Sequence, residues 1–178
     1  MINDNFIFAP QLESVGKWYR QLMGESIGKE TDLTGTTVHT GITPTVSVGS
    51  VDLHSVTQLY LGGPRDKVTT FVSTAAHDSD AKVPADQMFP TLVEHLGGVS
   101  ASKIMNAILQ GVKKTYKSQG LPFMEIELES VSPREIGAFF QFKMIEMMYL
   151  GKLLNINTFD QPQVELYKIE TKKILAGK

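Results

Sequence analysis

Cysteine is absent from the 178 residues of this chain. That excludes disulfides, a thiol nucleophile and a thiolate metal site, and it fits a cytosolic location. Arginine is scarce: Arg20, Arg65 and Arg134 are the only three. Excess charge of one sign is also missing. The net charge of −2 suggests neither a nucleic-acid partner nor an anionic membrane surface. There is no long apolar run. The greasiest segment, residues 139–154, carries Lys143, Glu146 and Lys152 and is too short and too charged to span a bilayer. The first ten residues lack the basic region and apolar stretch of a signal peptide. No internal repeat or low-complexity tract is found.

What remains is an ordinary globular composition, 42% apolar, and enough chain for one domain with a real core. Helical and strand patterns alternate, which favours an α/β layered domain with a largely parallel sheet. Leu12, Val15, Tyr19 and Leu22 share one face of a helix expected over residues 10–23, with Pro10 in its first turn. Residues 30–43, rich in Thr and Gly, read as a loop or weak hairpin. A strand is expected at 45–48, a helix at 52–61 and a central β-rich strand at 68–73. Residues 75–87 read as an exposed loop, followed by helices over 89–95 and 102–117. Met124, Ile126 and Leu128 alternate with Glu125, Glu127 and Glu129, the pattern of an edge strand with one wet face. Ser132-Pro-Arg-Glu135 is a capping box. It opens a helix to about residue 154, apolar on most sides and expected at the centre of packing. A last helix is expected from about 160 to 175.

Three short stretches carry candidate chemistry. They are Met23-Gly-Glu-Ser-Ile-Gly-Lys29, Gly49-Ser-Val-Asp-Leu-His-Ser-Val-Thr-Gln-Leu59 and Asp160-Gln-Pro-Gln-Val-Glu-Leu-Tyr-Lys168. A carboxylate, an imidazole and an ammonium are the parts needed to open a sugar ring and move a proton between adjacent carbons. Taken singly, Glu25 reads as a surface glutamate near a helix end. His54 reads as a side chain in the first turn of a helix that follows a strand, a place where ligands bind in open α/β sheets. Lys168 lies about two helical turns after Gln161, so the two share a face. Thr34-Gly-Thr-Thr37 is a weak phosphate-loop candidate. His39, His77 and His95 show no metal-ligand spacing. Trp18 and Tyr19 read as helix packing, and Met144–Met148 as core.

Together the three stretches resemble the C-terminal half of phosphoglucose isomerase, from about Phe8 to Leu175. The resemblance implies a three-layer α/β/α sandwich around a mostly parallel sheet of four or five strands, the sugar-isomerase (SIS) type, as a single domain over residues 1–178. It implies interconversion of glucose 6-phosphate and fructose 6-phosphate through a cis-enediolate in the cytoplasm, with no metal or organic cofactor. By that resemblance Glu25 shuttles the proton between C1 and C2, and His54 and Lys168 open the ring. Gln161 lies near the substrate phosphate. Leu53 stands where many members have Gln, which puts a polar contact beside His54 in doubt.

The family's first domain supplies a Ser/Thr-rich phosphate loop and a glycine–arginine pair, and neither is found here. The family is usually a homodimer in which the histidine reaches the neighbouring subunit's site. Two other readings are a sugar-phosphate-binding SIS domain without activity and a half-enzyme that needs a partner chain for the first domain.

Overall fold

The computed structural model of the chain describes residues 1–76, 81–86 and 94–177. His77 and most of the helix expected over 89–95 lie outside them. The element order is β1 (Ile2–Ile7), a 3-10 turn (Pro10–Leu12), α1 (Glu13–Ile27), β2 (Lys29–Thr31), β3 (Thr37–Thr40) and β4 (Thr43–Val48). A second 3-10 turn (Val51–Leu53), α2 (Thr57–Gly62), β5 (Lys67–Thr74) and α3 (Ala101–Ser118) follow. β6 (Phe123–Leu128), α4 (Pro133–Leu154) and α5 (Pro162–Leu175) complete the order. Four strands form one sheet in the order β4-β1-β5-β6, with every pairing parallel. β2 and β3 make a separate antiparallel hairpin where the Thr/Gly-rich stretch suggested one.

Helices cover both faces of the sheet, which gives the α/β/α sandwich. Side chains alternate across β1: Ile7 faces one layer, Phe6 the other. Ile7 packs with Leu12, Val72, Leu128 and Phe139 beneath α1 and α4. Phe6 and Phe8 pack with Phe71, Leu109 and Tyr116 beneath α3. Gly16 of α1 lies against β4 so closely that a Cβ there would meet Val46 at 2.8 Å. A third cluster, with Tyr19, Met23, Ile27, Met147 and Ile156, joins α1 to α4.

Strand β1 has no counterpart in the sequence-based expectations. Asn3-Asp4-Asn5 argues against a strand by propensity. Yet β1 lies inside the sheet, and Asp4 is fully buried. Its Oδ1 accepts hydrogen bonds from Thr45 (2.6 Å), Ser47 (3.0 Å) and Tyr60 (3.1 Å). Partners far along the chain satisfy Oδ1, while Oδ2 is buried with no hydrogen-bond partner among the described residues, and a local pattern cannot register such partners.

The edge position of β6 is as its alternation suggested. In α4, Ser132 Oγ accepts from the Glu135 N–H at 3.3 Å. The Glu135 carboxylate does not close the box but accepts from the Glu129 N–H instead. Only one stripe of α4 is buried: Phe139, Lys143, Met147 and Gly151. Lys143 is buried with its ammonium 2.8 Å from Glu146 and 4.5 Å from the centre of the Tyr19 ring. Phe142, Met148, Tyr149 and Leu153 face outward, Tyr149 70% and Leu153 80% exposed. The expectation that α4 sits at the centre of packing is corrected: it closes one layer and leaves a greasy outer face. α5 buries none of its residues. No described helix is long and apolar enough to cross a membrane.

Candidate active site

Glu25 lies in the last turn of α1, which extends to Ile27, past the expected end at residue 23. The side chain is half-buried, and each carboxylate oxygen accepts a hydrogen bond from an amide. Gln21, one turn earlier, donates to Oε1 at 3.2 Å. Gln161 donates to Oε2 at 2.9 Å. The carboxylate is thus fixed in direction by two neutral donors. Sequence reading missed Gln21, although its i, i+4 spacing to Glu25 was the available signal.

The segment that carries Gln161 is tied to the end of α1 at several points. Lys29 Nζ donates to the Glu25 carbonyl oxygen at 2.8 Å and also to the Asp160 carbonyl oxygen. It lies 3.4 Å from the Asp160 carboxylate. Gln163 donates to Glu30. The Leu33 N–H donates to the Asn155 carbonyl oxygen at 2.8 Å. The Asn155 amide reaches the Asp32 carboxylate at 3.4 Å. Asn155 itself takes the left-handed conformation that ends α4.

Asp32 also accepts from the Thr34 hydroxyl (2.7 Å), the Thr34 N–H (2.8 Å) and the Thr36 N–H (2.9 Å). The Thr34 hydroxyl and the Thr36 amide hold its carboxyl below the usual range. The loop that loosely resembled a phosphate cradle therefore spends these donors on its own carboxylate. It lies between two strands of a hairpin, not between a strand and a helix.

His54 lies after β4. The Asp52 carboxylate shapes the turn, accepting from the Val48 N–H and the Ser55 hydroxyl, both at 2.7 Å. Gly49 lies under the Phe8 ring, where a Cβ would come within 2.8 Å of the ring carbons. Asp52 draws the chain into a 3-10 turn that ends at His54, and α2 begins only at Thr57. The histidine is therefore not in the first turn of a helix, as expected from the sequence. Its side chain is exposed and makes no hydrogen bond to the described residues.

Glu25 and His54 stand at opposite ends of the sheet's strands. α1 leaves the carboxyl end of β1 and runs back to the amino end, where Thr43 N–H donates to the Met1 carbonyl oxygen. His54 follows the carboxyl end of β4. The length of the six-residue β4 separates the two ends, on the order of 20 Å at about 3.3 Å per residue. Proton transfer works at hydrogen-bond reach, so the two cannot share one substrate within a single copy of the chain.

Gln161 precedes α5 as its N-cap, with non-helical backbone angles. Lys168 lies on the exposed α5 and pairs with Glu165 at 2.6 Å, a bond that raises the lysine pKa. No described contact joins Lys168 to Glu25, Gln161 or His54. Of the four candidates, the structure brings together Glu25 and Gln161 alone. A cleft of about 360 Å³ opens at the carboxyl ends of β1 and β5, lined by Phe8, Ser73, Lys103, Asn106 and Glu127 among others. None of the four candidates lines it. Among the described residues, no three His, Asp or Glu side chains cluster as a metal site.

A family model described as phosphoglucose isomerase matches residues 4–177. The probable glucose-6-phosphate isomerase of Methanococcus maripaludis is 32% identical over 170 residues, which cover 96% of this chain and 36% of that protein. The glucose-6-phosphate isomerase of Thermus thermophilus is 32% identical over 171 residues, 96% of this chain and 40% of that protein. Among solved structures, a hypothetical protein from Thermus thermophilus superposes with a TM-score of 0.90 at 30% identity, over 98% of this chain and 41% of that one. A glucose-6-phosphate isomerase from Chlamydia trachomatis, 20% identical, shares the fold with a TM-score of 0.82. The chain thus spans well under half the length of these relatives. The family model covers nearly the whole chain, and this chain belongs to the phosphoglucose isomerase family.

Proposed function

We propose that this chain forms the part of a glucose-6-phosphate isomerase that carries the proton-transferring base. The observation that carries the reading is the Glu25 carboxylate, aimed by the Gln21 and Gln161 amides. In the open-chain aldose, Glu25 takes the proton from C2. The released electron pair forms the C1=C2 bond of a cis-enediolate as the carbonyl oxygen gains negative charge. The proton of the C2 hydroxyl passes to the C1 oxygen, the C2 carbonyl forms, and the carboxylic acid returns its proton to C1, leaving the ketose. Lys168 and His54 act before this, at the ring oxygen of the cyclic sugar phosphate. No cofactor takes part.

The span of roughly 20 Å between Glu25 and His54 supports a homodimer in which each histidine serves the neighbouring copy's site. The groups absent here, a phosphate loop and a charge-stabilising arginine, belong to a further domain supplied in the same chain or by a partner. Lacking them, the 178-residue chain alone has little or no activity. Removing one charge-stabilising donor costs on the order of 2.7–4 kcal/mol.

The test is Glu25→Gln in the complete two-domain enzyme. The expected result is a loss in kcat for fructose 6-phosphate of roughly 10²–10⁴ with inhibitor affinity retained. Near-normal kcat would show that Glu25 is not the base. Loss of binding and turnover together would favour a sugar-phosphate-binding role.

A further inference from the structure

We infer that Lys29 is a positioning residue that sets the direction of the Glu25 carboxylate by holding Gln161 against it. The inference rests on the reading of Glu25 as the base. Lysine is almost never fully buried without partners, and Lys29 is only 8% exposed. An ammonium has three donors. Three acceptors lie around this one: the Glu25 carbonyl oxygen, the Asp160 carbonyl oxygen and the Asp160 carboxylate. They belong to two segments only, the one carrying the base and the one carrying its amide partner. The last carbonyls of a helix have no partner within it, and a cation there also suits the helix dipole. Lys29 satisfies one such carbonyl on Glu25 itself.

Gln161 needs this support. It lies outside α5, and its exposed side chain makes one hydrogen bond, to Glu25. The neighbouring Asp160 is anchored by Lys29. Gln21 rides on the same helix as Glu25, so it moves with the carboxylate and cannot fix it to the rest of the molecule. Gln161 can, because it comes from the far side of the clamp. The clamp is not what docks the segment as a whole. Asn155 is bound to Asp32 and Leu33, and Gln163 to Glu30. Losing the ammonium should therefore leave the segment docked and the carboxylate loosely aimed. Arginine is no substitute, since its planar fork does not present three donors from one small point.

The experiment uses the complete two-domain enzyme with Lys29→Met, Lys29→Arg, Glu25→Gln and the Lys29→Met/Glu25→Gln pair. Measured are kcat and KM for fructose 6-phosphate, and the Kd of glucitol 6-phosphate, which has no carbonyl to isomerise. A misplacement of about 1 Å can cost 10²-fold in rate, and a fall of that order in kcat is expected for Lys29→Met. KM and the glucitol 6-phosphate Kd should stay within about threefold, the signature of an interaction felt only in the reaction. Lys29→Arg should fall in the same direction by less. In the pair, Lys29→Met should slow Glu25→Gln no further, because its effect runs through that carboxylate.

Three results overturn the inference. One is Lys29→Met turning over within about twofold of wild type. Another is an equal loss from Lys29→Met in the Glu25→Gln background. The third is Kd rising in step with the fall in kcat. Should Lys29→Met fail to fold, Lys29→Arg carries the test by the same limits. The underlying reading falls separately, on near-normal kcat in Glu25→Gln.

Discussion

Gln161 and Glu25 stand 136 positions apart in the sequence and are joined by a hydrogen bond of 2.9 Å. Gln21 holds the other carboxylate oxygen. A general base works only if its lone pair points at the proton it removes. Two amides on opposite sides give that direction without adding charge beside the carboxylate.

Replacing Gln161 by leucine should therefore damage catalysis in the complete enzyme. A hydrogen bond to a charged group is worth about 1.5–3 kcal/mol, which corresponds to a fall in kcat/KM on the order of tenfold to a hundredfold. Gln21→Leu should behave alike, and the double variant should approach Glu25→Gln. The check is steady-state kinetics on all four proteins. Unchanged kcat/KM in Gln161→Leu would mean that the amide does not orient the base.

The placement of Glu25 and His54 at opposite ends of the strands makes a second prediction. Glu25→Gln and His54→Ala, each nearly inactive as a complete homodimer, should regain activity when co-refolded. Random pairing makes half the dimers mixed, and each mixed dimer has one intact site. Recovery should approach about a quarter of wild type. No recovery, with mixed dimers verified by tag pull-down, would place both residues in the same copy's site.

Asp4 predicts a pH effect on stability. Burial pushes its carboxyl above the ordinary value of 3.8, although hydrogen bonds from Thr45, Ser47 and Tyr60 pull the other way. The folded state then holds the proton more tightly than the unfolded chain. The stability this contributes is fully present below pH 3.8 and is lost as pH rises through the folded-state pKa. Asp4→Asn cannot ionise, so the stability of wild type relative to this variant should decline as the pH rises above about 4. Urea unfolding of both proteins across that range is the measurement. A pH-independent difference would contradict the raised pKa.

The outer face of α4 predicts self-association of the isolated chain. Phe142, Met148, Tyr149 and Leu153 are exposed apolar side chains on this helix, and contiguous apolar surface of this kind marks interaction sites. Sedimentation velocity should show dimers or larger species at micromolar concentration. The pair Tyr149→Glu and Leu153→Glu should shift the chain to monomer while the circular dichroism spectrum is unchanged. A wild-type chain that sediments as a monomer would end this expectation.

Much of the architecture was legible because its signals are local. The Ser132 cap, the Pro133 start of α4 and the alternation in β6 each sit within a few residues of what they determine. Asp4 was illegible for the opposite reason. The donors to its Oδ1 come from β4 and α2, so only the folded chain shows that a polar triplet can occupy the middle of a sheet. The α4 helix was misjudged because hydrophobicity fixes neither which face meets this chain's core nor which stays bare. Glu25 was legible only through resemblance, since nothing in its neighbourhood separates it from an ordinary helix-end glutamate. The buried lysine four residues on, which ties Glu25 to Asp160, gave no separate signal beyond its place in the same string.

The strand order also fixes a schedule. β1 precedes both its neighbours in the chain, yet Ile2 pairs with Thr43 on one side and Lys67 on the other. It therefore leaves the ribosome before either of its sheet neighbours and waits for β4, then β5. Such non-local pairing carries loop-closure entropy before any contact repays it, and it slows folding. Meanwhile Phe6, Ile7 and Phe8 stand in water. The interval before β5 emerges is when this segment is most open to aggregation and to capture by chaperones.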